Sequence, residues 1–206
     1  MKQSDRFKAS MPSLCTPCKT ALLFGTLIWI LFSVSGCQSF RPSSGYNMES
    51  KYSLKKRKSY ISCIPEGSSS PVARHLPLKV TEQSLEQLFS SIDDHLGTHY
   101  RPGGTTPEAF DCSGFVQYLY KQNFRMLLPR TSGEQALLGT MVPKQHLQPG
   151  DLVFFSSDGS RIDHVGIFIG ENRFAHAATG GIMVNLLLDR YYSLHYACAS
   201  HLITTE

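Results

Sequence analysis

A chain of 206 residues has room for one domain and a leader, and 41% apolar residues are enough for a packed core. The formal net charge of +4 is too small to argue for nucleic-acid binding. Much of the positive charge is local, at Lys51, Lys55, Lys56, Arg57 and Lys58, and reads as a solvated linker rather than a patch for an anionic membrane or wall polymer.

The chain opens with Lys2, Arg6, Lys8 and Lys19 ahead of a nearly unbroken apolar run from Ala21 to Val34. That run falls short of the roughly 20 residues needed to span a hydrocarbon core and fits the apolar segment of a signal peptide. It ends in Val34-Ser35-Gly36-Cys37. Small residues before a cysteine resemble the lipobox of bacterial lipoproteins, which implies a signal peptide over residues 1–36 and Cys37 as a lipidated mature N-terminus. In such lipoproteins the next residue sorts between membranes, and Gln38 in place of aspartate implies the outer one. Translation could start at Met1 or Met11, and the Cys15/Cys18 pair then reads as leader sequence rather than a metal site.

Residues 37–83 read as a tether, because Ser, Gly, Pro and Lys dominate with no sustained apolar period. Cys63 lies within it and could pair with Cys198 in an oxidising compartment, leaving Cys112 free. The folded domain is expected over 84–206. Leu85, Leu88, Ile92 and Leu96 repeat at three and four, which predicts a helix from Ser84 to Leu96 with a Ser84/Gln87 capping box and a stop at Gly97. A turn-rich loop, Tyr100-Arg101-Pro102-Gly103-Gly104, leads into a second helix beginning at Asp111-Cys112-Ser113-Gly114. Thr131 and Glu134 are in capping-box register for another helical start.

Beyond Leu147 the pattern changes to strands, over 152–155, 164–170, 173–178, 182–188 and 196–203. Helices followed by an antiparallel meander argue an α+β domain with helices against one sheet face.

Asp111 is a natural N-cap, so Cys112 falls at the first helical position, where free amides and the helix dipole favour a thiolate. The Asp111 carboxylate works the other way, so a histidine held close as imidazolium would have to supply the remainder. His164 opens one predicted strand and His176 lies in the next. They share a sheet face only if paired residue numbers sum to an even value; a two-residue turn on Glu171-Asn172 would point them apart. In a thiol mechanism one imidazole moves the proton and a second polar group fixes its tautomer. Zinc held by Asp163, His164 and His176 is the weaker alternative, since Cys112 would have to join as a ligand.

Five segments in order, Asp111-Cys112-Ser113-Gly114-Phe115, Leu128-Pro129-Arg130-Thr131, Pro149-Gly150-Asp151-Leu152-Val153-Phe154-Phe155, His164-Val165-Gly166-Ile167-Phe168-Ile169-Gly170 and Phe174-Ala175-His176-Ala177, resemble the NlpC/P60 cysteine peptidases. The likeness covers about residues 84–203 and is greatest to murein endopeptidase lipoproteins of the Spr/NlpC type. It implies a papain-like α+β fold with helices packed on an antiparallel sheet, nucleophile Cys112, base His164 and orienting His176. It also implies Tyr100 near the oxyanion, Asp111 and Ser113 at substrate-contacting positions, and neither metal nor organic cofactor. The chain departs from the family at Pro102, where many members carry a large apolar residue, and in the loop from Ser156 to Asp163.

The function expected is a lipid-anchored thiol peptidase, facing the periplasm from the outer membrane, that hydrolyses amide bonds in peptidoglycan stem peptides or cross-links through an acyl-enzyme. Its partners would be those peptides and, through Cys37, the membrane, with no nucleic acid and a monomeric state. Two other readings use the same residues differently. One is a non-catalytic wall-binding lipoprotein, which has no reason to hold Cys112, His164 and His176 together. The other is an acyl- or amidotransferase with an amine in place of water as acceptor.

Overall fold

The computed structural model describes residues 57–206; the leader, Cys37 and the expected lipidation lie outside the described residues. Three short strands come first, β1 (Tyr60–Cys63), β2 (Val72–His75) and β3 (Leu78–Val80), followed by helix α1 (Glu82–Asp94). A small ladder, β4 (Thr105–Thr106) with β5 (Ala109–Phe110), precedes helix α2 (Cys112–Phe124) and the single turn α3 (Ser132–Gln135). After them come β6 (Thr140–Met141), a 3-10 turn (Lys144–His146), β7 (Leu152–Phe155), β8 (His164–Gly170), β9 (Arg173–Ala178), β10 (Gly181–Leu186), α4 (Arg190–His195), β11 (Tyr196–His201) and β12 (Ile203–Thr205).

The main sheet runs β10-β9-β8-β7-β11-β6, and every pairing in it is antiparallel. The expected meander is β7 through β10; β11 returns to the far side of β7, and β6 adds an edge strand that the sequence pattern did not announce. Helix α2 packs on β8 and β9, with α1 against α2. Both faces of the sheet are covered. Leu152, Phe154, Val165, Ile167, Ala175 and Ala177 join the core under the helices, while Val153, Phe155, Phe168 and Phe174 join a second cluster with Leu187 and Tyr192. Burial on both faces is why β7 reads as a continuous apolar run rather than an alternation.

The helix starts follow local chemistry. Asp111 caps α2, its carboxylate accepting from the Gly114 amide at 2.7 Å. Thr131 and Glu134 form the expected capping box on α3. For α1 the cap is Thr81, which accepts from the Ser84 amide, so the helix begins two residues earlier than the Ser84 start expected from sequence.

The folded unit also begins earlier than residue 84. Ile61, Cys63, Leu76 and Val80 are buried in the main core, and β3 pairs in parallel with the C-terminal β12. Arg57 donates from Nε to the Gly139 carbonyl at 2.9 Å and from Nη2 to that of Leu138. The tether expected over 37–83 is therefore folded from residue 58 onward: β1 alternates in burial over only four residues, β2 is exposed throughout and β3 has three residues, too short for the periodicity that marked the longer elements. No disulfide joins Cys63 to Cys198; Cys63 is bridged through its backbone to Met126 instead.

Candidate active site

Cys112 occupies the first position of α2, only 9% exposed, as its N-cap dictates. Glycine makes that location possible. A Cβ on Gly114 would stand 2.0 Å from the Gly104 carbonyl oxygen, so the Tyr100–Gly104 loop can lie against the helix start only because position 114 lacks one. The Asp111 amide donates to that same Gly104 carbonyl at 3.0 Å. Across the gap, the Cys112 thiol donates to the carbonyl of Asp163 at 3.9 Å, which brings the start of α2 to the residue directly before His164.

The two histidines share a face, by a route the sequence did not suggest. The turn between β8 and β9 is the two-residue type, with Gly170 opposite Arg173 and both Glu171 and Asn172 left-handed at φ 51° and 57°. Alone, that turn would point His164 and His176 to opposite faces. A register shift between Phe168 and Gly170 makes Ile169 an extra residue, after which Phe168 pairs with Phe174 and Ile167 with Ala175. The even-sum register is thus restored beyond the bulge, and His164 Nε2 lies 2.8 Å from His176 Nδ1. Continuing that register sets Gly166 against His176. A Cβ there would meet the Phe174 ring at 2.6 Å and the Ala175 carbonyl oxygen at 2.9 Å, so Gly166 admits the close approach of β9.

His176 is fully buried and stacked on Phe174, with ring centroids 4.7 Å apart. Its Nε2 lies 2.8 Å from Asn185 Oδ1 on β10 and 3.3 Å from the Tyr192 hydroxyl on α4. Neither Asn185 nor Tyr192 was singled out from sequence. The available signal was Asn185 as the polar residue within the apolar stretch from Ile182 to Leu188.

The electrostatics differ from the ion pair expected from the helix dipole. Burial pushes the Cys112 thiol pKa up and the Asp111 carboxylate adds to this, against a smaller downward pull from the amides of Val165, Ser113 and Cys112 itself. Burial, reinforced by His176 and opposed by Asp163, lowers His164 to about 3. The resting pair is a neutral thiol and a neutral imidazole, because desolvation outweighs the helix terminus.

Arg130 is the other group that sequence reasoning left without a role. It forms a bidentate pair with Asp111, Nη1 to Oδ1 at 3.0 Å and Nη2 to Oδ2 at 2.5 Å, and donates to the Ser113 hydroxyl at 3.0 Å. Burial alone would raise the Asp111 pKa, but the hydrogen bonds from Arg130 and from the Gly114 and Gly103 amides hold the carboxyl below its usual range. The pairing also mutes the charge that Asp111 presents to the thiol.

Two clefts meet here. One, of ≈ 430 Å³, is lined by Pro102, Asp111, Cys112, Ser113 and Arg130; the other, of ≈ 480 Å³, by His164, His176, Thr179 and Tyr192. Tyr100 and Asp163 border both. The Tyr100 phenol is held above its ordinary pKa, chiefly by burial and then by Cys112 and Asp111. Among the described residues no three His, Cys, Asp or Glu side chains converge as ligands for a metal ion, and His164 Nε2 is already engaged by His176.

A cysteine at a helix start, reaching the residue that precedes one of two hydrogen-bonded histidines on an antiparallel sheet, fits an α+β domain of papain-like fold. The chain belongs to the NlpC/P60 family, whose model matches residues 97–201. It is 42% identical over 110 residues to a probable endopeptidase NlpC homolog of Haemophilus influenzae, covering 53% of this chain and 58% of that one. It is 37% identical over 130 residues to the murein DD-endopeptidase MepS/murein LD-carboxypeptidase of Escherichia coli K12, covering 58% and 69%. Among solved structures, an NLP/P60-family protein of Staphylococcus aureus superposes with a TM-score of 0.56 at 29% identity, covering 63% of this chain and 44% of that one. The matched segment thus spans under two thirds of the Haemophilus relative.

Proposed function

We propose that this domain is a cysteine endopeptidase that hydrolyses amide bonds in the peptide part of peptidoglycan. The observation that carries the reading is the placement of the Cys112 thiol at the α2 start, beside the residue that precedes a hydrogen-bonded His164–His176 pair. The murein endopeptidase named among the relatives supplies the substrate class.

Because thiol and imidazole both rest neutral, attack is general-base assisted. His164 takes the thiol proton as sulfur bonds to the scissile carbonyl carbon. The carbonyl oxygen becomes an oxyanion, held by amides at the start of α2, with Tyr100 at the border of both clefts as a further donor. Collapse expels the amine, which takes the proton back from His164 and leaves a thioester on Cys112. Water, deprotonated by His164, then attacks the thioester; the acid departs and the thiol regains its proton. His176 orients His164 throughout. Asp111 and Ser113, held by Arg130, line the same cleft as Cys112 and so stand where they can contact the substrate.

Lipidation at Cys37, and through it an outer-membrane location facing the periplasm, completes the proposal. It rests on Val34-Ser35-Gly36-Cys37. The test is digestion of purified peptidoglycan by residues 38–206 alongside Cys112→Ala, with products identified by mass. New peptide termini from the wild type alone support the reading and name the bond. Binding without cleavage by both proteins would replace it with a wall-binding module. Transfer to an added amine in preference to water would make it a transferase.

A further inference from the structure

Beyond the histidine pair, the relay continues to an amide. Asn185 reaches His176 because β10 pairs with β9 such that Met183 opposes His176 and Asn185 opposes Phe174. Residues 183 and 185 lie on one face, so Asn185 sits diagonal to His176, with Oδ1 at 2.8 Å from Nε2. The Tyr192 hydroxyl donates to the same Oδ1 at 3.4 Å, and its ring stands edge-on to His176 at 5.4 Å.

We propose that Asn185 is the positioning residue that fixes the tautomer of both histidines and so makes Nδ1 of His164 the base. An amide oxygen only accepts, so His176 Nε2 must carry the proton of that hydrogen bond. In a neutral ring Nδ1 is then bare and accepts from His164 Nε2–H, 2.8 Å away. His164 Nε2 therefore holds a proton, and its Nδ1 is left as the atom able to receive one. Turning the amide round would reverse every step: an NH₂ donating to His176 Nε2 would put the proton on His176 Nδ1, then on His164 Nδ1, and no base would remain for the thiol. Burial that keeps both rings neutral makes this ordering matter, since an imidazolium would carry protons on both nitrogens. Asn185 acts only through His176.

The inference rests on the thiol-peptidase reading, and two readouts separate its failure from the failure of that reading. Asn185→Leu keeps the size of the half-buried side chain and removes the acceptor. Its kcat should fall at least about tenfold with KM little changed, because a fraction of the rings then hold the wrong tautomer. Asn185→Asp supplies an acceptor-only oxygen and should recover most of that loss. Its carboxylate also favours protonated rings, so the acid limb of kcat/KM should move to higher pH. A merely structural asparagine would show neither the rescue nor the moved limb.

The second readout needs no turnover. Imidazole ¹⁵N spectra of the Cys112→Ala protein should show His164 with a bare Nδ1 and His176 with a protonated Nε2, and both should become mixed on adding Asn185→Leu. Unchanged tautomers, or an Asn185→Leu enzyme with wild-type kcat, would overturn the inference. A wild type that cleaves nothing while showing these tautomers would leave the positioning intact and defeat the peptidase reading.

Discussion

His164 has a pKa of 6.5 in an unperturbed chain and about 3 in the folded protein. Between those values the unfolded chain binds a proton that the native state refuses, so stability is fully present above about pH 6.5 and falls as pH is lowered towards 3. The slope from this one group approaches ~1.4 kcal/mol per pH unit. Urea midpoints should drop between pH 7 and pH 5 in the wild type and drop less in His164→Gln. If the two proteins show equal slopes, the depressed pKa is refuted. Arg130 allows a second measurement. Its ion pair offsets the Asp111 charge that raises the thiol pKa, so Arg130→Met should move the pH dependence of Cys112 alkylation to higher pH. A displacement to lower pH, or none, would show that Asp111 does not act on the sulfur.

The β8–β9 hairpin decides whether two histidines twelve positions apart can cooperate. Its type I′ turn and its bulge are each ordinary, and only together do they bring His164 and His176 to one face. Glycine at 166 then lets β9 approach. Gly166→Ala should shift β9 away from β8 at His176 and cost about 1–3 kcal/mol in stability, as overpacking does, with a further loss of kcat as the His164–His176 bond lengthens. Thermal unfolding together with steady-state kinetics checks both parts. An alanine variant as stable and active as the wild type would mean that the strands can relax apart at no cost to the relay.

At the scale of the molecule, the segment before α1 belongs to the fold. Four of its side chains, Ile61, Cys63, Leu76 and Val80, are buried in the main core, and β3 supplies the partner of β12. Burying an aliphatic side chain contributes roughly 1.5–3 kcal/mol, so residues 84–206 expressed alone should be several kcal/mol less stable than residues 57–206. Equal denaturation midpoints for the two fragments would show the segment before α1 to be an appendage. Lipidation is tested on the intact chain. Labelled palmitate should enter the wild type and be lost in Cys37→Ala, which should also leave the membrane fraction.

The sequence by itself determined the parts whose chemistry is local. A capped helix start holding Cys112 was legible because an acidic N-cap and an apolar face are read within a dozen residues. Strands β7 to β10 were legible from short apolar runs between turn residues, and Cys112, His164 and His176 could be named because each lies in such an element. Only the tertiary structure decided what depends on residues distant in the chain. Alternation has period two, so a single extra residue at Ile169 reverses which side chains meet, and a bulge carries no signature that would distinguish it from a regular strand. The Arg130–Asp111 pair and the reach of Asn185 to His176 are contacts across elements. The neutral thiol and imidazole follow from burial, which is a property of the assembled core and overrides the helix terminus that the sequence displays.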